Sequence, residues 1–130
     1  MSVEGLRVLK SRHDPGETMD RLEAALRRHG FKILVRIDHA EEARAAGVEL
    51  RPTVVVMFGS ALAGAPTVRT TPTLAIDLPI RVLIWQDERE ATWAAYNDPV
   101  WLLGRHGLAS AAAVEVMNEV LANVVGEAVA

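Results

Sequence analysis

The chain has 130 residues, room for one ordinary domain and not for two. Fourteen Lys and Arg against seventeen Asp and Glu leave a net charge of −3. That balance argues against a nucleic-acid partner, which is held mainly by clustered basic residues. With 50% hydrophobic residues and no cysteine, the composition excludes wholesale disorder, disulfides, thiol nucleophiles, iron–sulfur clusters and Cys-based zinc sites.

No stretch approaches the roughly eighteen apolar residues that a membrane span needs. The opening Met1-Ser2-Val3-Glu4-Gly5 lacks the basic and apolar regions of a signal peptide. A soluble cytoplasmic protein with no membrane partner is therefore expected. Prolines and glycines punctuate short elements without marking a boundary, so residues 1–130 read as a single domain.

Leu6 to about Ser11 reads as an opening strand. Asp14-Pro15-Gly16-Glu17 then supplies a helix start, with Asp14 as cap, Pro15 at the first position and Glu17 in capping-box register. Met19, Leu22, Leu26 and His29 recur at three- and four-residue steps, which gives this helix one buried face, and Gly30 ends it. Phe31, Ile33, Val35 and Ile37 alternate with Lys32, Leu34 and Arg36, predicting a half-buried strand.

Asp38 can cap a short helix over Ala40–Ala46, closed by Gly47. Thr53–Phe58 is β-branched and apolar, and predicts a strand buried on both faces. Three prolines and two glycines fall between Gly59 and Pro79, where only Pro72–Asp77 is expected to make a helical turn or two. Ile80–Trp85 and Thr92–Tyr96 flank the charged turn Asp87-Glu88-Arg89-Glu90 as a hairpin.

Asp98-Pro99 begins a further helix, stopped by Gly107. The last helix, from Ser110, places Val114, Val116, Met117, Val120, Leu121, Val124 and Val125 on about half its circumference. One sheet needs less than that, so part of the arc should meet another surface. The order strand–helix–antiparallel strands–helix predicts an α+β fold, one mixed or antiparallel sheet with helices packed on one face.

Several strings of this chain, taken together, resemble the bacterial domain-of-unknown-function family 302. They are Asp38-His39-Ala40, Glu49-Leu50-Arg51-Pro52-Thr53, Phe58-Gly59, Asp77-Leu78-Pro79, Tyr96-Asn97-Asp98-Pro99 and Arg105-His106-Gly107. The resemblance runs from about Ser11 to Leu108 and implies a fold of the TATA-box-binding-protein-like class. It departs at Ser60-Ala61-Leu62-Ala63-Gly64, where the family more often has a polar–proline turn. No activity follows from membership, and likeness to a DNA binder does not make this acidic chain one.

The candidate site residues are His39, Arg51, Thr53, Asp77 and Tyr96. His39 lies between Asp38 and Glu42, where a carboxylate can fix its tautomer for base or ligand duty, or where it simply bonds backbone to fix the turn. Arg51 can grip an anion in forked geometry, or pair structurally with Glu49 or Asp77. Asp77 can contact a ligand or brace the Asp77-Leu78-Pro79 turn, and Asp98 reads as a helix cap. Tyr96 offers a hydroxyl among Trp85, Trp93 and Trp101, rings that equally suit a core or a subunit contact. Arg105 and His106 are accounted for by the helix dipole.

The first functional reading is a noncatalytic small-ligand-binding or sensing module, acting as a homodimer. His39, Arg51, Thr53 and Asp77 would contact a polar or anionic ligand beside the Gly59–Pro79 stretch. The second is a hydrolase or isomerase with His39 as general base, and the third a structural partner-binding domain. No cofactor or metal is expected, since no zinc-binding His pair or phosphate-cradling loop is present.

Overall fold

The structure is a computed structural model and describes residues 2–59 and 61–130. Strands β1 (Leu6–Lys10), β2 (Lys32–Asp38), β3 (Thr53–Gly59), β4 (Ile80–Gln86) and β5 (Thr92–Asn97) form one five-stranded sheet in the order β1-β5-β4-β3-β2. Every neighbouring pair is antiparallel. The helices are α1 (Pro15–Arg28), α2 (His39–Ala45), α3 (Ala61–Thr70), α4 (Pro99–Gly104) and α5 (Ala112–Val129), with a 3₁₀ stretch at Pro72–Asp77.

Three helix starts follow one local chemistry. Asp14, Asp38 and Asp98 accept from the backbone N–H groups of Glu17, Glu41 and Val100, satisfying donors that a first helical turn leaves free. Gly30 closes the α1 end at φ +81°, in the left-handed region a glycine takes without strain.

Helices α1 and α5 cover one face of the sheet. Met19, Leu22 and Leu26 meet Leu121, Val124 and Val125 there, over Val56, Phe58, Val82, Ile84 and Ala94. A second, smaller cluster joins Leu74 of the 3₁₀ stretch, Leu103 of α4 and Val114 of α5. These two clusters explain the broad apolar arc of α5. Its C-terminal half serves the main core, and Val114 with Met117 serves the second one. The arc therefore is not a free surface, although Val116 remains 59% exposed.

Two expectations are corrected. The Gly59–Pro79 stretch contains helix α3 around Pro66, where a turn-rich connection is expected, while Ser60 lies outside the described residues. Strand β2 does not keep one phase: its register with β3 shifts between Ile33 and Val35. Ile33 packs with the helix-side core, and Val35 and Ile37 stand opposite Met57 and Val55 on the other face. The extra residue, Leu34, is 48% exposed, and the bulge blunts an edge strand against further pairing.

Candidate functional site

The sheet face turned away from α1 and α5 is laid out in rows by the strand register. One row runs Leu6, Asn97, Arg81, Met57 and Val35, and the next runs Val8, Ala95, Leu83, Val55 and Ile37. A third row brings Lys10, Trp93, Trp85 and Thr53 together, with Trp85 directly opposite Trp93. Alternation along each strand sends their neighbours to the helix side. The side chains of these rows include two cations, Arg81 and Lys10, and no carboxylate.

A cleft of about 390 Å³ lies on this face, lined by Leu6, Ile37, Val55, Leu83 and Ala95 with Arg81, His39 and Asn97. Small or compact residues at Ala95 and Val55 make its floor. Arg81 is half-buried, and among the described residues its hydrogen bond goes to the Pro79 carbonyl at 3.4 Å, the long end of the range. A guanidinium held in an apolar setting without a carboxylate partner is a ready donor for an anion.

The five expected site residues fall in three places. His39 borders this cleft, at the start of α2. Tyr96 borders it as well, but its ring belongs to the buried helix-side core, so its side chain does not enter the cleft. Arg51 and Thr53 line a shallower, wider depression beside the β4–β5 turn, together with Trp85, Glu49, Asp87, Glu88 and Arg89. The Thr53 hydroxyl there donates to the Arg51 carbonyl. That depression carries both signs of charge, with three carboxylates against two guanidiniums.

Asp77 belongs to neither. Its Oδ2 lies 2.6 Å from His106 Nε2, and its Oδ1 accepts from Arg105 Nη1 at 3.2 Å. His106 Nδ1 in turn bonds Thr73 Oγ1 at 2.9 Å. Asp77, one of two carboxylates considered for Arg51, pairs with Arg105 and His106 in its place, and His106 does more than complement a helix dipole. The cluster ties the 3₁₀ stretch to the end of α4, over the second apolar cluster. Because Asp77 and His106 are 29 positions apart, spacing alone could not pair them.

Asp87 organises the other end of the sheet. It accepts from the Arg89 and Ala91 N–H groups and from Trp93 Nε1, the last at 2.8 Å. The indole donor, then the backbone donors, hold its carboxyl below its ordinary value. Sequence reasoning placed Asp87 in a turn and missed this clamp, which also fixes one ring of the third row.

A family model described as "Domain of unknown function DUF302" matches residues 7–124. The chain belongs to this DUF302 family. A crystal structure of an uncharacterized conserved DUF302 protein from Bacillus stearothermophilus superposes with a TM-score of 0.79, covering 98% of this chain and 97% of that one. At 18% identity, that likeness speaks for the fold alone.

Curated relatives lie closer in sequence. "Fluoride-specific ion channel FluC 1" of Brucella suis biovar 1 (strain 1330) is 38% identical over 115 residues, 87% of this chain and 45% of that protein. "Fluoride-specific ion channel FluC 1" of Brucella abortus biovar 1 (strain 9-941) has the same identity, with 43% of its length matched. The DUF302 chain thus spans less than half the length of these relatives. Among its described residues no helix is long and apolar enough to cross a membrane.

Proposed function

We propose that this chain is a noncatalytic binding and sensing module that takes a small ligand on the uncovered face of its sheet. One observation carries the reading: the roughly 390 Å³ cleft joins an apolar floor at Val55, Leu83 and Ala95 to polar groups at Arg81 and His39. Small-molecule sites have this size and this mix, mostly apolar with a few converging polar groups. Thermal-shift screening of a metabolite panel, with sodium fluoride and sodium chloride included, tests it. A ligand at a hundred times its dissociation constant adds about 2.7 kcal/mol. A panel without any shift removes the proposal.

The Brucella proteins supply a setting. Only helices and closed barrels cross a bilayer, and this chain matches less than half of proteins named as channels. On this reading, conduction in those relatives belongs to the part outside the match. The DUF302 part is then an attached sensor, and the present chain serves a membrane partner in the same way.

Homodimer formation belongs to the same proposal, through the last helix, where Val116 remains exposed, so that the cleft stays open. The sheet edges are poor candidates, because β2 carries its bulge and β1 presents Arg7 and Lys10. Light scattering at micromolar concentration checks this part; a monomer removes it and leaves ligand binding standing.

A catalytic alternative shifts from His39 to His106. Thr73, His106 and Asp77 follow one another as hydroxyl, imidazole and carboxylate at 2.9 and 2.6 Å, the order an activated nucleophile needs. Turnover of a p-nitrophenyl ester that is lost in Thr73→Val would establish it, and no turnover by the intact chain would dismiss it.

A further inference from the structure

We infer that the open-face cleft takes an amphipathic monoanion, a carboxylate on an apolar tail, with the head on Arg81 and the tail running toward Trp85. The inference rests on the binding reading above and gives its ligand a chemistry.

Charge complementarity is the first support. The chain as a whole has more acidic than basic residues, yet the rows of this face hold Arg81 and Lys10 and no acid. A cationic head would meet no counter-charge among the residues that line the cleft. A neutral apolar ligand would leave the half-buried guanidinium of Arg81 without a partner, which is unfavourable in an apolar surround. An anion satisfies it with charge-assisted hydrogen bonds.

The shape of the face gives the second support. Along β4 the side chains of Arg81, Leu83 and Trp85 point to the same side, with the backbone positions of Arg81 and Trp85 about 13 Å apart and Leu83 midway. Leu83 is flanked by Ala95 and Val55, both less than a tenth exposed. The track from Arg81 past Leu83 is apolar, and its far end at Trp85 opens on the depression beside the β4–β5 turn. A medium-length acyl chain fits that track; a small hydrated inorganic anion would use the charge and leave the track empty.

Isothermal titration and methyl chemical shifts of Val55 and Leu83 test this, with three probes: decanoate, acetate and decyltrimethylammonium. Decanoate should bind and move those methyls, while acetate and the cationic probe should bind at least tenfold more weakly. Arg81→Met should weaken decanoate at least tenfold, Arg81→Lys should restore most of the affinity, and Lys10→Gln should change it less than threefold. Both Arg81 variants should keep the wild-type circular dichroism, which separates lost binding from lost fold.

Equal binding of decanoate and decyltrimethylammonium, or no effect of Arg81→Met, overturns the anion class and leaves the binding reading intact. Acetate binding as tightly as decanoate overturns the tail. Decanoate silent while another compound of the screening panel moves the same methyls overturns this ligand class alone; silence of both overturns the binding reading too.

Discussion

Gly5 lies flat against the indole of Trp101: a Cβ built at Gly5 would sit 2.2 Å from Trp101 Cδ2. The backbone there is at φ +74°, and the Gly5 carbonyl accepts from the Asp98 N–H at 2.7 Å. The start of the chain is thereby fastened to the first turn of α4, next to the Arg7–Asp98 ion pair. Gly5→Ala meets two penalties, about 1–2 kcal/mol for the left-handed backbone and about 1–3 kcal/mol for the overlap. Gly30→Ala is the control, because it has a similar φ of +81° and open space around its Cβ position. Urea unfolding should show Gly5→Ala as the costlier change, with Trp101→Ala recovering part of the difference. Equal costs at the two glycines would remove the Trp101 contact from the account.

The Asp77–His106 contact should be a true coupling and not a surface pair. The His106 side chain is 7% exposed and Asp77 17%, and both ring nitrogens of His106 have partners. His106→Ala leaves Asp77 with Arg105 alone, and a half-buried polar group left short of a partner costs about 1–3 kcal/mol. A double-mutant cycle with Asp77→Ala should return an interaction of about 1 kcal/mol or more, within the range of residues that share a network. An interaction near zero would mean that the 3₁₀ stretch is held by Leu74 and Leu103 without help from this contact.

What the sequence shows, and what it hides, divides by range. The Asp-capped helix starts at Asp14, Asp38 and Asp98 are legible because a cap and its recipient lie within three residues. The β4–β5 hairpin is legible for the same reason. Helix α3 is not, since Gly64 and Pro66 oppose helix locally and the surrounding fold overrides them. Nor is the bulge at Leu34, whose neighbours alternate as an unbroken strand would.

The candidate site illustrates the same limit. His39 is legible as a histidine at a strand end, but Arg81 reads from sequence as one charged position in a hairpin strand. Its significance comes from the strand order, which sets it between Asn97 and Met57 in rows that hold no acid. Tyr96, by contrast, reads as a free hydroxyl near three tryptophans. Strand alternation turns its ring into the helix-side core, away from Trp85 and Trp93.

Acid should destabilise the fold in a definite window. The Trp93 indole and backbone donors hold Asp87 low, and the Arg28 guanidinium holds Glu127 low, 2.8 Å from its Oε1. Burial pushes the Asp98 carboxyl up, but Arg7 and the Val100 N–H outweigh it and leave the pKa lowered. The ordinary values are 3.8 for the aspartates and 4.5 for the glutamate. Just below those values the unfolded chain binds more protons than the folded one, so stability falls as pH drops further. The contribution of these groups is complete above about pH 5. Urea midpoints should therefore be flat with respect to these carboxylates from pH 5 upward and decline below pH 4.5. Arg7→Gln and Arg28→Gln should each shallow the decline; slopes identical to wild type would show that other groups set it.

Glu90 offers a gain in stability. The β4–β5 turn closes with the Glu90 N–H on the Asp87 carbonyl at 3.0 Å and the Asp87 N–H on the Ala91 carbonyl at 2.9 Å. Glu90 sits at φ +64°, the one non-glycine residue in the left-handed region among the described residues. This is the bulge position of a hairpin loop built on a type I turn, where glycine is favoured. A side chain there costs about 1–2 kcal/mol of backbone strain, while glycine loses about 0.4–1 kcal/mol more entropy on folding. Glu90→Gly should thus stabilise the fold by about 0.5–1 kcal/mol, read as a higher urea midpoint with an unchanged slope. The Asp87 clamp is untouched by the change, since its donors are the N–H groups of Arg89 and Ala91 and the Trp93 indole. A lower midpoint in Glu90→Gly would mean that the Glu90 side chain makes a favourable contact that outweighs its backbone strain.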